Sequence, residues 1–268
     1  MKETLQICDL GRLAYDRALD IQHRLLELRQ QDLIGDVLLL VEHPPVLTLG
    51  VRGRNEHIYL SREMLAQAGV QVYEVSRGGD VTYHGPGQVV GYPIMKVKQH
   101  PGSIRVFVTC IEEGLIRLLR EMYQIDAVQR QDKYTGVWVG DCKIVAIGIA
   151  VKKWVTMHGF AFNVNTDLSH FEWINPCGLS MGVTSVEALT GQKADFDLVK
   201  YQVGRYIAQA FDREASDCLL ADLLPDPIDE PNCEPANEPI HEPTHEPVHG
   251  PFSDPKELFQ TGSPESER

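Results

Sequence analysis

Twelve residues, Arg77-Gly78-Gly79-Asp80-Val81-Thr82-Tyr83-His84-Gly85-Pro86-Gly87-Gln88, lie between two strongly apolar segments. Residues 70–75 before them and 89–94 after them are rich in β-branched and aromatic residues, which predicts two strands. Glycines between strands permit positive φ and allow a ligand to lie against the backbone. A hairpin with an unusual turn would explain the Gly-Pro-Gly, but not the arginine, threonine and histidine in the same connection. We therefore interpret the segment as a wall of a binding site.

The segments around this wall alternate between helical and extended patterns. Helical spacing of apolar residues predicts helices over residues 13–31 and 103–123, and Ser61 and Asp195 are suitable N-caps for two more. Runs of strand length, one of them apolar throughout, predict strands at residues 36–42, 46–49, 136–139, 143–151 and 156–164. The order of these elements predicts an α+β domain with a largely antiparallel sheet and flanking helices.

The chain changes character at residue 221. Residues 221–268 hold twelve Asp or Glu and two Lys or Arg, and a Glu-Pro pair recurs every fourth residue from Glu230 to Glu246. Dense proline removes backbone donors, and the few apolar residues cannot offset the entropy of ordering. We expect a catalytic domain over residues 1–220 and a disordered, acidic, Pro-rich C-terminal tail over 221–268.

Most of the net negative charge of the chain comes from the tail. The whole chain has 25 basic and 38 acidic residues and a formal charge of −13; the part before residue 221 has 23 and 26, which is −3. This near-neutral balance, without a basic run, excludes a typical nucleic-acid-binding protein. The six cysteines form no CxxC pair. The residues that follow Met1 lack the apolar core expected of a signal peptide, and no apolar run approaches membrane-spanning length. We expect a cytoplasmic protein with reduced thiols and no membrane association.

Two residues are candidates for nucleophilic chemistry. Cys177 lies in Asn175-Pro176-Cys177-Gly178, where proline and glycine predict a turn that presents the sulfur outward. Lys143 begins an apolar strand, where a charge is costly unless it faces a cleft or the strand's exposed end. An ammonium near Cys177 would stabilise the thiolate and lower the thiol pKa. The alternatives are a buried structural cysteine and an exposed lysine at a strand end.

The motifs together resemble one family. Residues 77–88, Gly140-Asp141-Cys142-Lys143-Ile144 and residues 175–178, with His158-Gly159-Phe160-Ala161-Phe162-Asn163-Val164-Asn165 between the last two, are similar to the pattern of the lipoyl(octanoyl) transferases. The resemblance covers about residues 5–215. It implies the α+β fold shared by biotin and lipoate protein ligases.

The resemblance also implies roles for residues. Cys177 would be the nucleophile that becomes an acyl-thioester, and Lys143 would lower its pKa and move protons. Cys142, next to Lys143, could be mistaken for a second nucleophile, but we expect its side chain to alternate to the opposite face of the strand. The substrate site would be lined by Arg77, Gly78, Gly79, Asp80, Val81, Thr82, Tyr83, His84, Ala146, Ile147, Gly148, Gly159, Phe160 and Ala161.

The reaction implied by the resemblance is a two-step acyl transfer. The donor would be octanoyl-acyl carrier protein, and the acceptors would be lysines of lipoyl domains in 2-oxoacid dehydrogenase E2 subunits and in the glycine cleavage H protein. Neither ATP, another cofactor nor a metal is implied, and we expect a monomer. A hydrophobic tunnel would select the acyl chain, with Val145, Ile147 and Phe160 as candidate linings.

Two other functions stay open on the sequence. An ATP-dependent lipoate or biotin ligase of the same fold would need a nucleotide site and would not need Cys177. A weak similarity to the Gly-Arg-Gly-Arg motif of biotin ligases is present in Gly50-Val51-Arg52-Gly53-Arg54. Its two arginines are equally compatible with a solvated loop or with contact to an acidic carrier protein. A non-enzymatic carrier-binding module would tolerate the loss of Cys177.

Overall fold

The computed structural model describes residues 2–97, 103–130, 135–175 and 182–224. Twelve strands run through these residues: β1 Thr4–Arg12, β2 Asp36–Glu42, β3 Val46–Leu49, β4 Gln71–Glu74, β5 Val81–His84, β6 Gln88–Ile94, β7 Val128–Gln129, β8 Gly136–Val139, β9 Cys142–Lys152, β10 Val155–Asn163, β11 Gly182–Val183 and β12 Glu214–Asp217. The α-helices of the same residues are α1 Tyr15–Gln30, α2 Arg62–Gln67, α3 Ser103–Tyr123, α4 Val186–Thr190, α5 Phe196–Ala210 and α6 Leu220–Leu223. Short 3-10 helices span Asn55–His57 and Leu168–Trp173.

Nine of the described strands form a large sheet in the order β12-β1-β2-β6-β10-β9-β8-β7, with β11 also paired to β9. Its pairs from β2 to β7 are antiparallel, whereas β1 runs parallel to both β2 and β12. A small sheet has the order β4-β3-β5. The predicted α+β class with a mostly antiparallel sheet and flanking helices is confirmed.

The core lies on both faces of the large sheet. Helices α3 and α5 cover one face, and α1 covers the other, so that consecutive residues of β2 point into different clusters. Leu38 and Leu40 pack with α3 and α5, whereas Val37, Leu39 and Val41 pack with α1. This burial on two faces explains why the β2 segment is apolar at successive positions.

The glycine-rich connection is not a hairpin between its flanking strands. β4, on its amino side, pairs with β3 in the small sheet, whereas β6, on its carboxyl side, pairs with β2 and β10 in the large sheet. β5 lies inside the connection and pairs with β3. The segment therefore joins the two sheets, which places it where a cleft between them can form.

The carboxyl end of the described chain packs beyond the predicted domain end at residue 220. Leu223 and Leu224 are buried in the cluster that contains α1. The predicted disorder of the acidic tail concerns residues that, from 225 onward, lie outside those the structure describes.

Candidate active site

The glycine-rich segment is fixed by backbone hydrogen bonds to two neighbouring segments. The amides of Gly50 and Val51 donate to the carbonyls of Asp80 and Arg77, over 3.2 and 3.0 Å. On the opposite side, Gly78 N donates to Ile149 O of β9 over 3.0 Å. The segment is therefore held between the turn that follows β3 and the middle of β9.

This close approach depends on glycine in β9. A Cβ atom on Gly148 would lie 2.6 Å from the Gly78 carbonyl oxygen and 3.2 Å from Arg77 Cδ. Real Cβ atoms do not approach a backbone oxygen so closely, so any other residue here would displace the segment. Gly148 thus allows the two walls of the site to meet.

Arg77 anchors the segment to the small sheet from within. Its Nε and Nη2 donate to Thr48 Oγ1, Nη2 also donates to the Thr48 carbonyl over 2.7 Å, and Nη1 donates to the Gly78 carbonyl. The side chain is buried, and burial lowers the pKa of the guanidinium. Arg77 is therefore a structural clamp as well as a lining residue.

Asp80 is a second buried charge in this segment. One carboxylate oxygen accepts from the Val81 amide over 2.7 Å, and the other lies 2.7 Å from His57 Nδ1. The contact ties the glycine-rich segment to the 3-10 helix at Asn55–His57.

The segment and β9 enclose a cavity of about 290 Å³, close to the lower end of the range for small-molecule sites. All the residues expected to line the substrate site border this cavity, with the exception of Tyr83. Lys143 borders it as well. The structure therefore brings together the glycine-rich segment, β9 and β10 around one space.

Tyr83 is the expected lining residue that does not border the cavity, although Val81, two residues earlier on the same face of β5, does. Thr82 and His84 face the cavity, whereas Tyr83 is buried in the small-sheet cluster, where its hydroxyl lies 2.7 Å from His170 Nδ1 and its ring packs edge-on against Phe171. Tyr83 supports the wall from behind.

Val145, a candidate lining of the acyl tunnel, lies in the core beside α3 and does not border the cavity. The β8–β9 pairing has a bulge: Val137 pairs with Val145, but Trp138 pairs with Lys143. The extra residue, Ile144, breaks the simple alternation. Lys143 therefore faces the cavity while Val145 faces the core, and Ile147 and Phe160 remain as apolar linings.

Lys143 is half-buried and held by two neighbours on the same side of the sheet. Its Nζ donates to the Thr135 carbonyl over 3.3 Å and lies 4.8 Å from the centroid of the Trp138 ring. A cation over an indole face is stabilised electrostatically. The side chain is therefore directed toward the cavity and is not an exposed strand-end lysine.

An aromatic and imidazole cluster forms another part of the lining. Tyr15 stacks on His84 with a 9° angle between the rings, and Tyr92 OH lies 2.8 Å from His43 Nε2. His43 Nδ1 donates to the Leu13 carbonyl, so its Nε2 accepts from Tyr92. Burial lowers the pKa of His84 to about 3 and that of His43 to about 4. Both imidazoles are therefore neutral at physiological pH, so this cluster, of which Tyr15, His84 and Tyr92 border the cavity, adds no charge to the site.

Some lining residues could not be expected from the sequence. Tyr15, Thr135, Val108, Phe171 and Val183 reach the cavity from separate parts of the chain. Tyr15 begins α1 in an ordinary amphipathic pattern, and Thr135 precedes a short strand, so neither carried a local signal. Tyr92 follows the glycine-rich motif in an apolar strand and looked like a core residue.

Cys177, the expected nucleophile, lies outside the described residues. Cys142, next to Lys143, does not border the cavity; its sulfur faces Gly182 of β11. Across the described part of the chain, no three His, Cys, Asp or Glu side chains are arranged to hold a metal ion. None of the helices in that part is long and apolar enough to cross a membrane.

Residues 14–208 match the family model of the lipoyl protein ligase A/B catalytic domain. The chain belongs to this family. It is 56% identical over 208 residues to the octanoyltransferase of Caldicellulosiruptor saccharolyticus, covering 77% of this chain and 88% of the relative. It is 52% identical over 211 residues to the octanoyltransferase of Desulforamulus reducens, covering 78% and 92%. The assignment to the octanoyltransferases of this family, which are acyltransferases, is thus confirmed.

Solved structures of lipoyl protein ligases share the fold. A bi-partite lipoate protein ligase from Thermoplasma acidophilum superposes with a TM-score of 0.64 at 15% identity, covering 83% of this chain and 90% of that one. A lipoate-protein ligase A bound with ATP superposes with a TM-score of 0.62 at 15% identity, covering 83% and 92%. These likenesses confirm the expected ligase-type fold.

Proposed function

We propose that the protein transfers an octanoyl group from octanoyl-acyl carrier protein to a lysine of lipoyl domains, by way of a thioester on Cys177. The observation that carries the proposal is the position of Lys143, which borders the same cavity as the glycine-rich segment and the apolar side chains of Ile147 and Phe160. An ammonium, an acyl-sized cavity and an apolar wall are what this chemistry requires.

The first step forms the enzyme thioester. The Cys177 thiolate attacks the thioester carbonyl of the donor, the new C–S bond forms, and the bond to the carrier's sulfur breaks. The Lys143 ammonium stabilises the thiolate before attack. It then gives its proton to the departing carrier thiolate, which leaves as a thiol, while Lys143 becomes a neutral amine.

The second step uses the amine that the first step produced. The ε-amine of the acceptor lysine attacks the Cys177 thioester, and its excess proton passes to Lys143 as the amide forms and the Cys177 thiolate leaves. Lys143 is then an ammonium again, and Cys177 is again a thiolate. The two steps balance in atoms and protons, with Cys177 carrying the acyl group between donor and acceptor. No ATP is needed, because the conversion of a thioester to an amide is energetically downhill.

The apolar lining supports selection of the acyl chain. Burial of each methylene contributes about 0.8 kcal/mol, so a chain shorter by two carbons loses about 1.6 kcal/mol, or roughly fifteen-fold in reaction rate. Longer chains would be rejected by the limited volume. Ile147 and Phe160 supply this surface, with the neutral His84 and Tyr92 nearby.

The acceptors proposed are lipoyl domains of 2-oxoacid dehydrogenase E2 subunits and the glycine cleavage H protein. The family membership supports a lipoyl-domain acceptor, since the bi-partite lipoate protein ligase of Thermoplasma acidophilum is described together with its E2 lipoyl domain. The proposed enzyme acts as a monomer in the cytoplasm.

A transfer assay with purified components tests the proposal. The protein is mixed with octanoyl-acyl carrier protein and a lipoyl domain, and the mass of the lipoyl domain is followed with no ATP present. We expect a gain of one octanoyl group, and none on a lipoyl domain whose acceptor lysine is replaced by arginine. If the lipoyl domain is modified only when octanoate and ATP are supplied, the proposal is contradicted and the protein is an ATP-dependent ligase.

A matched pair of variants on β9 tests the role of Lys143. Lys143→Met should lower the transfer rate by at least about 100-fold, the usual contribution of a positioned acid-base group. Lys152→Met changes an exposed lysine at the far end of the same strand and should leave the rate unchanged. Equal rates in the two variants would remove Lys143 from the mechanism.

A further inference from the structure

Glu112 is a buried carboxyl on α3 for which the mechanism above has no use. Its exposed fraction is 4%, and α3 otherwise buries apolar residues along this face. A buried carboxylate is costly unless it has partners. Its Oε1 accepts a hydrogen bond from the amide of Gly136 over 2.8 Å.

The Gly136 amide belongs to the same peptide unit as the Thr135 carbonyl, and that carbonyl accepts from Lys143 Nζ over 3.3 Å. One peptide plane therefore joins the carboxylate of Glu112 to the ammonium of Lys143. The carboxylate polarises the peptide and strengthens its carbonyl as an acceptor, as expected for hydrogen bonds in series. Because the peptide is rigid, the Oε1 and Nζ atoms are separated by roughly 8 Å at most.

The orientation of this peptide is fixed on its other side. Gly136 has φ of +133°, and a Cβ atom there would lie 2.4 Å from the Val145 carbonyl oxygen and 3.5 Å from Lys143 Cε. Only glycine fits, and its missing side chain lets the stem of Lys143 lie against the peptide. Glu112, the Thr135–Gly136 peptide and Lys143 thus form one connected arrangement.

We infer that Glu112 is a positioning residue that acts on Lys143 through the Thr135–Gly136 peptide. It keeps the carbonyl directed at the ammonium, and its negative charge favours the protonated form of Lys143. The inference rests on the proposed function, in which the ammonium form of Lys143 stabilises the nucleophile and protonates the leaving thiol. Glu112 need not touch the substrate for this role.

The charges that act on Glu112 are consistent with this role. Burial raises the pKa of the Glu112 carboxyl, and the hydrogen bond from Gly136 and the charges of Arg105 and Lys143 oppose that rise, while Glu113 adds to it. Lysine side chains titrate far above carboxyl groups. Glu112 is therefore a carboxylate in the pH range where Lys143 changes its charge.

Glu112→Gln is the informative variant, because the glutamine oxygen still accepts from Gly136 while the charge is removed. Glu113→Gln is its matched control, since Glu113 is the exposed neighbour on the same helix. The pKa of Lys143 is measured in the full chain by carbon NMR of labelled lysine Cε, assigned with Lys143→Arg.

We expect the Lys143 pKa to fall by about one pH unit in Glu112→Gln, as the loss of a charge at this range in a partly buried site predicts. It should be unchanged in Glu113→Gln, where solvent and salt screen the charge. In the wild-type protein, the amide nitrogen of Gly136 should also report the titration of Lys143. A folded Glu112→Gln protein with an unaltered Lys143 pKa, or a Gly136 amide that ignores that titration, would overturn the inference.

The pH dependence of activity provides a second, independent test. If the proposed function holds, the alkaline limb of the rate of octanoyl-adduct formation shifts to lower pH in Glu112→Gln by the same amount as the Lys143 pKa. A wild-type protein that forms no adduct would refute the proposed function, while the NMR titration would still decide the role of Glu112.

Discussion

Replacing Arg77 with lysine should destabilise the domain and loosen one wall of the cavity. The guanidinium donates to both oxygens of Thr48 and to the Gly78 carbonyl from a buried position. A lysine has one donating atom and cannot reproduce this fork. Hydrogen bonds to charged groups contribute about 1.5–3 kcal/mol each, and a buried acceptor left unpaired costs about 1–3 kcal/mol.

Because some of these contacts are replaced by the lysine ammonium, we expect a net loss of about 3 kcal/mol in the free energy of unfolding. For a domain of this size that corresponds to a fall in Tm of roughly 6–12 °C. Thermal unfolding followed by circular dichroism measures it. Arg52→Lys changes an exposed arginine of the same cavity, and its free energy of unfolding should change by at most about 0.5 kcal/mol.

Thr48→Val completes a double-mutant cycle. It removes the hydroxyl acceptor but keeps the backbone carbonyl, so its effect and that of Arg77→Lys should not add. A loss below about 1 kcal/mol in Arg77→Lys, or strict additivity with Thr48→Val, would show that the clamp is not what holds the glycine-rich segment.

Three further predictions concern substrate, pH and the tail. Hexanoyl donors should be used roughly fifteen-fold less well than octanoyl donors in kcat/KM, and equal use of acetyl and octanoyl donors would contradict an apolar tunnel. The pKa of His43 is 6.5 in the unfolded chain and about 4 in the fold. Between these pH values the unfolded state binds one proton more than the folded state. The contribution of His43 to the free energy of unfolding is therefore full above pH 6.5 and should decline as the pH falls toward 4. The decline for this residue is about 3 kcal/mol; urea midpoints measured across that range should drop, and the drop should be smaller in His43→Asn. Truncation after Leu224 should leave transfer rate and Tm unchanged, whereas a large loss of either would show that the tail belongs to the folded domain.

Much of the fold could be predicted from local sequence patterns, because each of these patterns is compatible with one kind of secondary structure and burial. A segment such as Asp36–Glu42 is apolar at successive positions only when both faces of its strand are buried, and the structure buries them under different helices. Ser61 caps α2 and Asp195 caps α5 through the predicted side-chain hydrogen bonds. By contrast β1, Thr4–Arg12, mixes Asp9 and Arg12 with apolar residues and gave no clear period.

The site was predictable where a motif marks it and not where long-range contacts build it. The glycine-rich segment and Lys143 carried motifs, and the structure places them around one cavity. A motif does not state which way each side chain points, so the sequence did not show that Tyr83 packs in the small-sheet cluster. Nor did it show that the bulge at Ile144 places Val145 in the core. Glu112 acts across a peptide 24 residues away in sequence, which no local pattern reveals.

The central claim, a thioester on Cys177, is tested most directly by the intact mass of the protein after brief incubation with octanoyl-acyl carrier protein and no acceptor. We expect the wild-type protein and Cys142→Ala to gain one octanoyl group, and Cys177→Ala to gain none. The adduct should disappear when a lipoyl domain is added. An unmodified wild-type protein that still transfers the octanoyl group to the lipoyl domain, or an adduct that persists in Cys177→Ala, would contradict the mechanism.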